Sequence, residues 1–160
     1  MQLQGKIAFI TGASRGIGKG VARAYAAEGA TVIIASRSID AGTETAEEIN
    51  RDCPQGRAVF LQTNVAEREQ LEARLDEATR DFGNIGILVN NATPSGDGQL
   101  LRLEYTESAR IEQLATVNYH APLWAMQKLF PSMKANAWGR IISMCSLNGI
   151  NAHRYTVGYN

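Results

Sequence analysis

The chain is poor in the residues from which metal sites and disulfide scaffolds are made. Its 160 residues include two Cys and two His. Cys53 and Cys145 lie far apart, with no CxxC pair and no Cys/His cluster, so neither a disulfide framework nor a zinc site is indicated. Each cysteine is expected to be a small buried or half-buried thiol in a reducing compartment. His120 and His153 have no metal-ligand spacing around them and read as packing or surface residues. An excess of either charge is also missing, since 16 Lys+Arg face 16 Asp+Glu. Without a net field, nothing draws the whole chain toward nucleic acid or an anionic membrane. Long apolar runs are absent as well. The run near the start, Ile7 to Ile10, is too short for a signal sequence or a membrane span. These absences describe a soluble, cytoplasmic protein with no nucleic-acid and no membrane partner.

What is present is an ordinary globular composition, 44% hydrophobic and 20% charged, at a length that suits one domain. Five short apolar, β-branched-rich runs recur, at Lys6–Thr11, Thr31–Ala35, Arg57–Gln62, Ile85–Asn90 and Arg140–Ser146. Most are apolar on successive positions, as expected of strands covered on both faces. Helical patterns separate them. Ile17, Val21 and Tyr25 form one stripe, Leu71, Leu75 and Ala78 another, with Gly29 and Gly83 as C-terminal stops. A longer helix is predicted over Glu107 to about Met133. Alternating β and α elements with short connections predict an α/β fold, a parallel sheet with right-handed crossovers. The polar, glycine-containing segment Thr93–Leu103 follows the fourth strand, at the carboxyl edge where such sheets bind ligands.

The first strand runs directly into Thr11-Gly12-Ala13-Ser14-Arg15-Gly16-Ile17-Gly18, which opens the first helix. Gly12 permits a tight turn, Gly16 lets backbone approach a pyrophosphate, and Gly18 lets the helix pack on the strand. The helix N-terminus adds free N–H groups and a positive dipole end. A glycine-rich segment between a strand and a helix at this place is a dinucleotide-binding signal.

The spacing GxxxGxG resembles that of the short-chain dehydrogenase/reductase family, whose signature TGxxxGxG matches Thr11–Gly18. Further motifs follow in the same order. Asn90-Asn91-Ala92 resembles the family's NNAG, with Thr93 where Gly is usual. Asn118 sits in the long helix where the family carries a catalytic Asn. Gly139-Arg140-Ile141-Ile142-Ser143 resembles the fifth-strand motif, which leads to Ser146, and Tyr159 follows that serine by 13 residues, the family's interval. The resemblance implies a Rossmann-type doubly wound parallel sheet in a three-layer α/β/α arrangement. It also implies a nicotinamide cofactor held by Gly12, Ser14, Arg15, Gly16, Ile17, Gly18, Ser36, Arg37, Asn64, Val65, Asn91 and Ala92. NAD-dependent members end the second strand with an acidic residue; here Ser36 and Arg37 stand there, with Arg15 in the glycine turn. Two guanidiniums and no carboxylate favour NADP over NAD, because guanidinium pairs bidentately with phosphate. The alternative is that both arginines are solvated surface cations. Asn64-Val65 occupies the usual Asp-Val place beside the adenine, where an amide can still accept from the exocyclic amine. Asn91 and Ala92 are expected to face the cofactor ribose.

By the same resemblance Tyr159 is the acid or base, Ser146 hydrogen-bonds the substrate carbonyl, and Asn118 helps position a proton relay. A free phenol titrates near pKa ~10, so positive charge must lower it for work near neutrality. In the family that charge comes from a Lys four residues after the Tyr, a place beyond Asn160. Family members run to about 250 residues, so residues 1–160 read as a single nucleotide-binding domain cut after the catalytic tyrosine, with C-terminal strands missing. The fifth strand is then expected to be an exposed apolar edge. Tyr155 competes with Tyr159 but lies at the wrong interval from Ser146, and His153 and Tyr155 fall where a substrate-pocket wall is expected. The leading expectation is an NADP-dependent oxidoreductase interconverting a secondary alcohol and a ketone, resembling 3-oxoacyl-thioester reductases. In its full-length form it is expected to be a homo-oligomer, a tetramer or dimer. The rival readings are a non-catalytic nucleotide-binding fragment completed by a partner chain, and a scaffold without nucleotide.

Overall fold

The computed structural model describes residues 1–94, 103–151, 154 and 159. Within them, strands β1 (Ile7–Thr11), β2 (Thr31–Ser36), β3 (Arg57–Gln62), β4 (Ile87–Asn90) and β5 (Arg140–Ser143) form one sheet in the order β3-β2-β1-β4-β5. Every pairing is parallel. Ile10 lies opposite Ile34 on one side and Val89 on the other, and Asn90 lies opposite Ser143. Successive strand residues point to opposite faces. Ala8, Ile10, Val32, Ile34, Ile87 and Val89 thus share one core, and Phe9, Ile33 and Leu88 belong to the other. This is why the strands are apolar at consecutive positions.

Helices α1 (Gly16–Ala27) and α2 (Ile39–Asp52) cover the first face, and α3 (Arg68–Phe82) packs against the second with α5 (Ala121–Ala135). The result is the expected three-layer α/β/α arrangement. Gly29 and Gly83 follow α1 and α3 with φ of 87° and 101°, as helix stops. The stripe predicted on α1 is corrected by one position. Ile17 is 66% exposed, whereas Gly18, Ala22 and Ala26 are buried. Small residues at this spacing let the helix axis approach the sheet, and Val21 and Tyr25 pack along its flank.

The helix predicted over Glu107–Met133 spans Ser108–Ala135 but is not uniform. It comprises α4 (Ser108–Ala115), a π-turn at Thr116–His120, and α5. In the wide turn the Ala121 N–H donates to the Thr116 carbonyl, five residues back. Pro122 has no N–H to offer Asn118, which favours such a break in the ladder. The fifth strand ends at Ser143 rather than Ser146, and its residues are all exposed. Ile141 and Ile142, at 37% and 38% exposure, form the open apolar edge expected there. Cys53 is buried but Cys145 is exposed, against the expectation for it. The loop expected at Thr93–Leu103, His153 and Tyr155 fall wholly or largely outside the described residues. No described helix is long and apolar enough to cross a membrane.

Candidate active site

The strand order reverses between β1 and β4, whose following helices lie on opposite faces of the sheet. Ligands of doubly wound sheets bind beyond the carboxyl ends of the strands at such a point. A cleft of about 810 Å³ opens there. Gly12, Ser14, Arg15, Gly16 and Ile17 line it from the glycine turn, Ser36 and Arg37 from the end of β2, Asn64 and Val65 from the end of β3, and Asn91 and Ala92 from the end of β4. All the residues expected to hold a cofactor are thereby brought together except Gly18, which backs the cleft rather than lining it. A Cβ on Gly18 would stand 2.5 Å from Asn91 Nδ2, 2.5 Å from the Gly12 carbonyl and 2.9 Å from Ala13 Cα. Gly16, by contrast, has nothing within 4 Å of where a Cβ would be, so its backbone faces open space at the start of α1.

The turn is braced from β4. Thr11 Oγ1 accepts from the N–H groups of Asn91 and Ala92, each at 3.0 Å, and donates to the Val89 carbonyl at 3.3 Å. Asn91 Nδ2 donates in return to the carbonyls of Thr11 and Gly12, at 3.0 and 3.2 Å. The amide of Asn91 is therefore spent on holding the glycine turn instead of reaching outward to a ribose. Asn64 is engaged as well. Its Nδ2 donates to Glu67 Oε1 at 2.7 Å and its Oδ1 accepts from Ala66 N at 3.3 Å, which leaves Oδ1 one further lone pair. The Asn64 N–H donates to Gln70 Oε1.

Chemically the rim is cationic and donor-rich. Arg15 is exposed at the N-cap position of α1, where the free N–H groups and positive dipole end of the helix also point. No residue described as lining the cleft carries a carboxylate. Ser36 is 8% exposed, and its Oγ is buried without a hydrogen-bond partner. A partnerless buried hydroxyl is costly unless a ligand satisfies it. This set fits an anionic, hydroxyl-rich ligand.

The three candidates for proton chemistry stand apart from that lining. Ser146 lies just past β5, on the same edge of the sheet, where Met144 N donates to the Asn90 carbonyl at 2.9 Å. It caps a short 3₁₀ turn, Leu147–Gly149, its Oγ accepting from Asn148 N at 3.2 Å. The hydroxyl proton stays free to donate. Asn118 is exposed within the π-turn, and Tyr159 is half-buried. His120 is a surface residue, stacked on Trp124 with ring centroids 5.9 Å apart, and the described residues contain no metal-ligating cluster.

Among the lining residues that the sequence reading missed are Thr63, Pro94, Gln113 and Val117. Gln113 and Val117 lie one helical turn apart on the element carrying Asn118, and Val117 is buried in one cluster with Val65, against which the half-buried Ala92 packs. Their i,i+4 spacing next to Asn118 was the available signal.

A model of the short chain dehydrogenase family matches residues 6–160. The chain belongs to the short-chain dehydrogenase family. Among curated relatives, galactitol 2-dehydrogenase of Agrobacterium fabrum is 39% identical over 93% of this chain and 56% of its own. A 3-oxoacyl-acyl-carrier-protein reductase of Haemophilus influenzae is 36% identical over 92% of this chain and 57% of its own. The chain thus spans less than two thirds of the length of these curated relatives. A metagenomic short-chain oxidoreductase solved in complex with NADP superposes with a TM-score of 0.91 at 29% identity, covering 99% of this chain and 70% of that one.

Proposed function

We propose that this short-chain dehydrogenase binds NADP in the cleft and, in its complete form, interconverts a secondary alcohol and a ketone. The observation that carries the reading is the cleft's lining near the end of β2. Arg15 and Arg37 line the same cleft as Ser36, whose buried hydroxyl has no hydrogen-bond partner, and no carboxylate lies among the described lining residues to repel a 2′-phosphate. A bound nicotinamide dinucleotide supplies or accepts the hydride. The chain's residues do the rest. Gly12 to Ile17 present backbone N–H groups to the pyrophosphate, and Ser36 and the two guanidiniums hold the ribose 2′-phosphate. Asn64, Val65 and Val117 flank the adenine, and Ala92 the nicotinamide ribose.

At the reacting carbonyl, Ser146 hydrogen-bonds the oxygen through its hydroxyl without giving up the proton, and Tyr159 gives or takes the one proton that balances the hydride. Asn118 positions the relay that refills it. A thioester of a 3-oxo acid and a polyol-derived ketone are both substrates of the required type. The reductase and galactitol dehydrogenase relatives support that class. The protein is proposed to be soluble and cytoplasmic, and oligomeric when full-length.

The test is cofactor titration by nicotinamide fluorescence, followed by turnover with a panel of ketones. Wild-type protein is expected to bind NADPH more tightly than NADH. Arg37→Asp removes a charge-assisted pair and adds repulsion, so NADPH affinity should fall by about tenfold or more while NADH affinity holds. An unchanged preference in Arg37→Asp overturns the assignment. Cofactor binding without turnover in the full-length protein supports the non-catalytic rival.

A further inference from the structure

We infer that Thr45 is a positioning residue for NADP, acting through the glycine turn; the inference rests on the cofactor reading above. Thr45 lies in the middle of α2, is 2% exposed, and lines no part of the cleft. Its Oγ1 donates to the Ser14 carbonyl at 3.0 Å, across from α2 to the outermost part of the glycine turn. Ser14 immediately precedes Arg15, so this bond fixes the backbone from which one of the two rim guanidiniums hangs.

The other guanidinium belongs to the same helix. Arg37 stands directly before Ser38, the N-cap of α2, whose Oγ accepts from Ala41 N at 3.4 Å. One rigid element therefore sets both guanidiniums, Arg37 through its start and Arg15 through Thr45.

A positioning element must itself be held, and α2 is anchored along its length. A Cβ on Gly42 would run into the Phe60 ring, so helix and β3 touch with no space between them. Near the other end, Asn50 pairs with the open edge of β3. Its Nδ2 donates to the Ala58 carbonyl at 2.9 Å and its Oδ1 accepts from Ala58 N at 2.7 Å. Toward α1, Glu48 accepts from Lys19 at 2.6 Å and from Arg23 at 3.0 Å. The Thr45 bond thus transmits a fixed reference to a turn that otherwise ends in an exposed arginine. A hydroxyl in a helix interior more often bonds its own helix four residues back. Thr45 instead reaches a neighbouring turn.

The test uses Thr45→Val, which keeps the shape of the buried side chain and deletes the donor, and Thr45→Ser, which restores it. Dissociation constants for NADPH and NADH are read by fluorescence, with unfolding midpoints alongside. Thr45→Val should weaken NADPH about fivefold, the equilibrium equivalent of one ordinary hydrogen bond, and leave NADH within about twofold. Thr45→Ser should recover the wild-type preference. Equal loss for both cofactors with a lowered midpoint, or an unchanged NADPH affinity, overturns the inference and makes Thr45 a packing residue. Should Thr45→Val not fold, Thr45→Ser and Thr45→Cys still decide it, since the NADPH to NADH ratio must follow donor strength. Wild-type protein that does not prefer NADPH refutes the NADP reading itself, an outcome distinct from failure of the Thr45 link.

Discussion

Two glycines on α1, two residues apart, should respond oppositely to alanine. At Gly18 an added Cβ meets Asn91 Nδ2 and the Gly12 carbonyl at 2.5 Å and Ala13 Cα at 2.9 Å. Ordinary carbon–oxygen contacts lie near ~3.3–3.6 Å, so the overlap is close to 1 Å on backbone that cannot swing aside. Relief requires α1 to draw back from the sheet. That movement loosens the buried Ala22 and Ala26 and stretches the Asn91 bonds to Thr11 and Gly12. Overpacking costs about 1–3 kcal/mol and two weakened hydrogen bonds about 1 kcal/mol each. The helix propensity of alanine offsets about 1 kcal/mol. The net expectation for Gly18→Ala is about 2–4 kcal/mol of lost stability in urea denaturation, with weaker cofactor binding because the turn moves. Gly20 is exposed and a Cβ there meets nothing within 4 Å. Gly20→Ala should keep the propensity gain alone and stabilise by up to about 1 kcal/mol. If both variants shift in the same direction, the close packing of α1 on the end of β4 is not what Gly18 serves.

Two other perturbations follow from the contacts around the cleft and beneath it. Thr11→Val leaves the N–H groups of Asn91 and Ala92 without their acceptor, and should lower stability by about 1–3 kcal/mol with a matching drop in the urea midpoint; an unchanged midpoint would show that these groups are served elsewhere. Glu48 is held below the ordinary carboxylate range, first by its hydrogen bond from Lys19, which outweighs partial burial, and then by the charges of Lys19 and Arg23. A lowered folded-state value means that its stabilising effect is fully present above the unfolded carboxylate's pKa and is lost as pH falls through the folded one. The stability gap between wild type and Glu48→Gln should therefore be constant near neutrality and shrink in acid, as followed by urea midpoints across pH; a gap that is flat down to the acid limit refutes the pairing.

The parts of the molecule visible in the sequence are those governed by spacing along the chain. Strand runs and the glycine turn are local patterns, and alternation of strands with helices marked the sheet as parallel. What escaped depends on distances between elements. Large apolar residues at Ile17, Val21 and Tyr25 mark the buried face of an ordinary amphipathic helix. On α1 the sheet comes so close that only Gly18, Ala22 and Ala26 fit beneath it. The π-turn had a local signal in Pro122, but a proline near the start of a helix is equally consistent with a fresh N-terminus, so sequence could not decide between them.

The same distinction separates contact with a ligand from support of it. Motif position assigned Asn91 to the ribose and Asn64 to the adenine. Their amides are largely committed to protein partners, Asn91 to the carbonyls of Thr11 and Gly12 and Asn64 to Ala66 and Glu67. Thr45 carries no motif at all, yet it reaches the segment that presents Arg15. A glycine turn is flexible by composition, and its glycines deprive it of side chains to hold it. Rigidity has to be imported, from Asn91 and Thr11 on one side and Thr45 on the other. On the NADP reading proposed above, preference for a 2′-phosphate should then depend on these buried donors as well as on Arg15 and Arg37, which is why a neutral, cleft-remote substitution is expected to change cofactor preference.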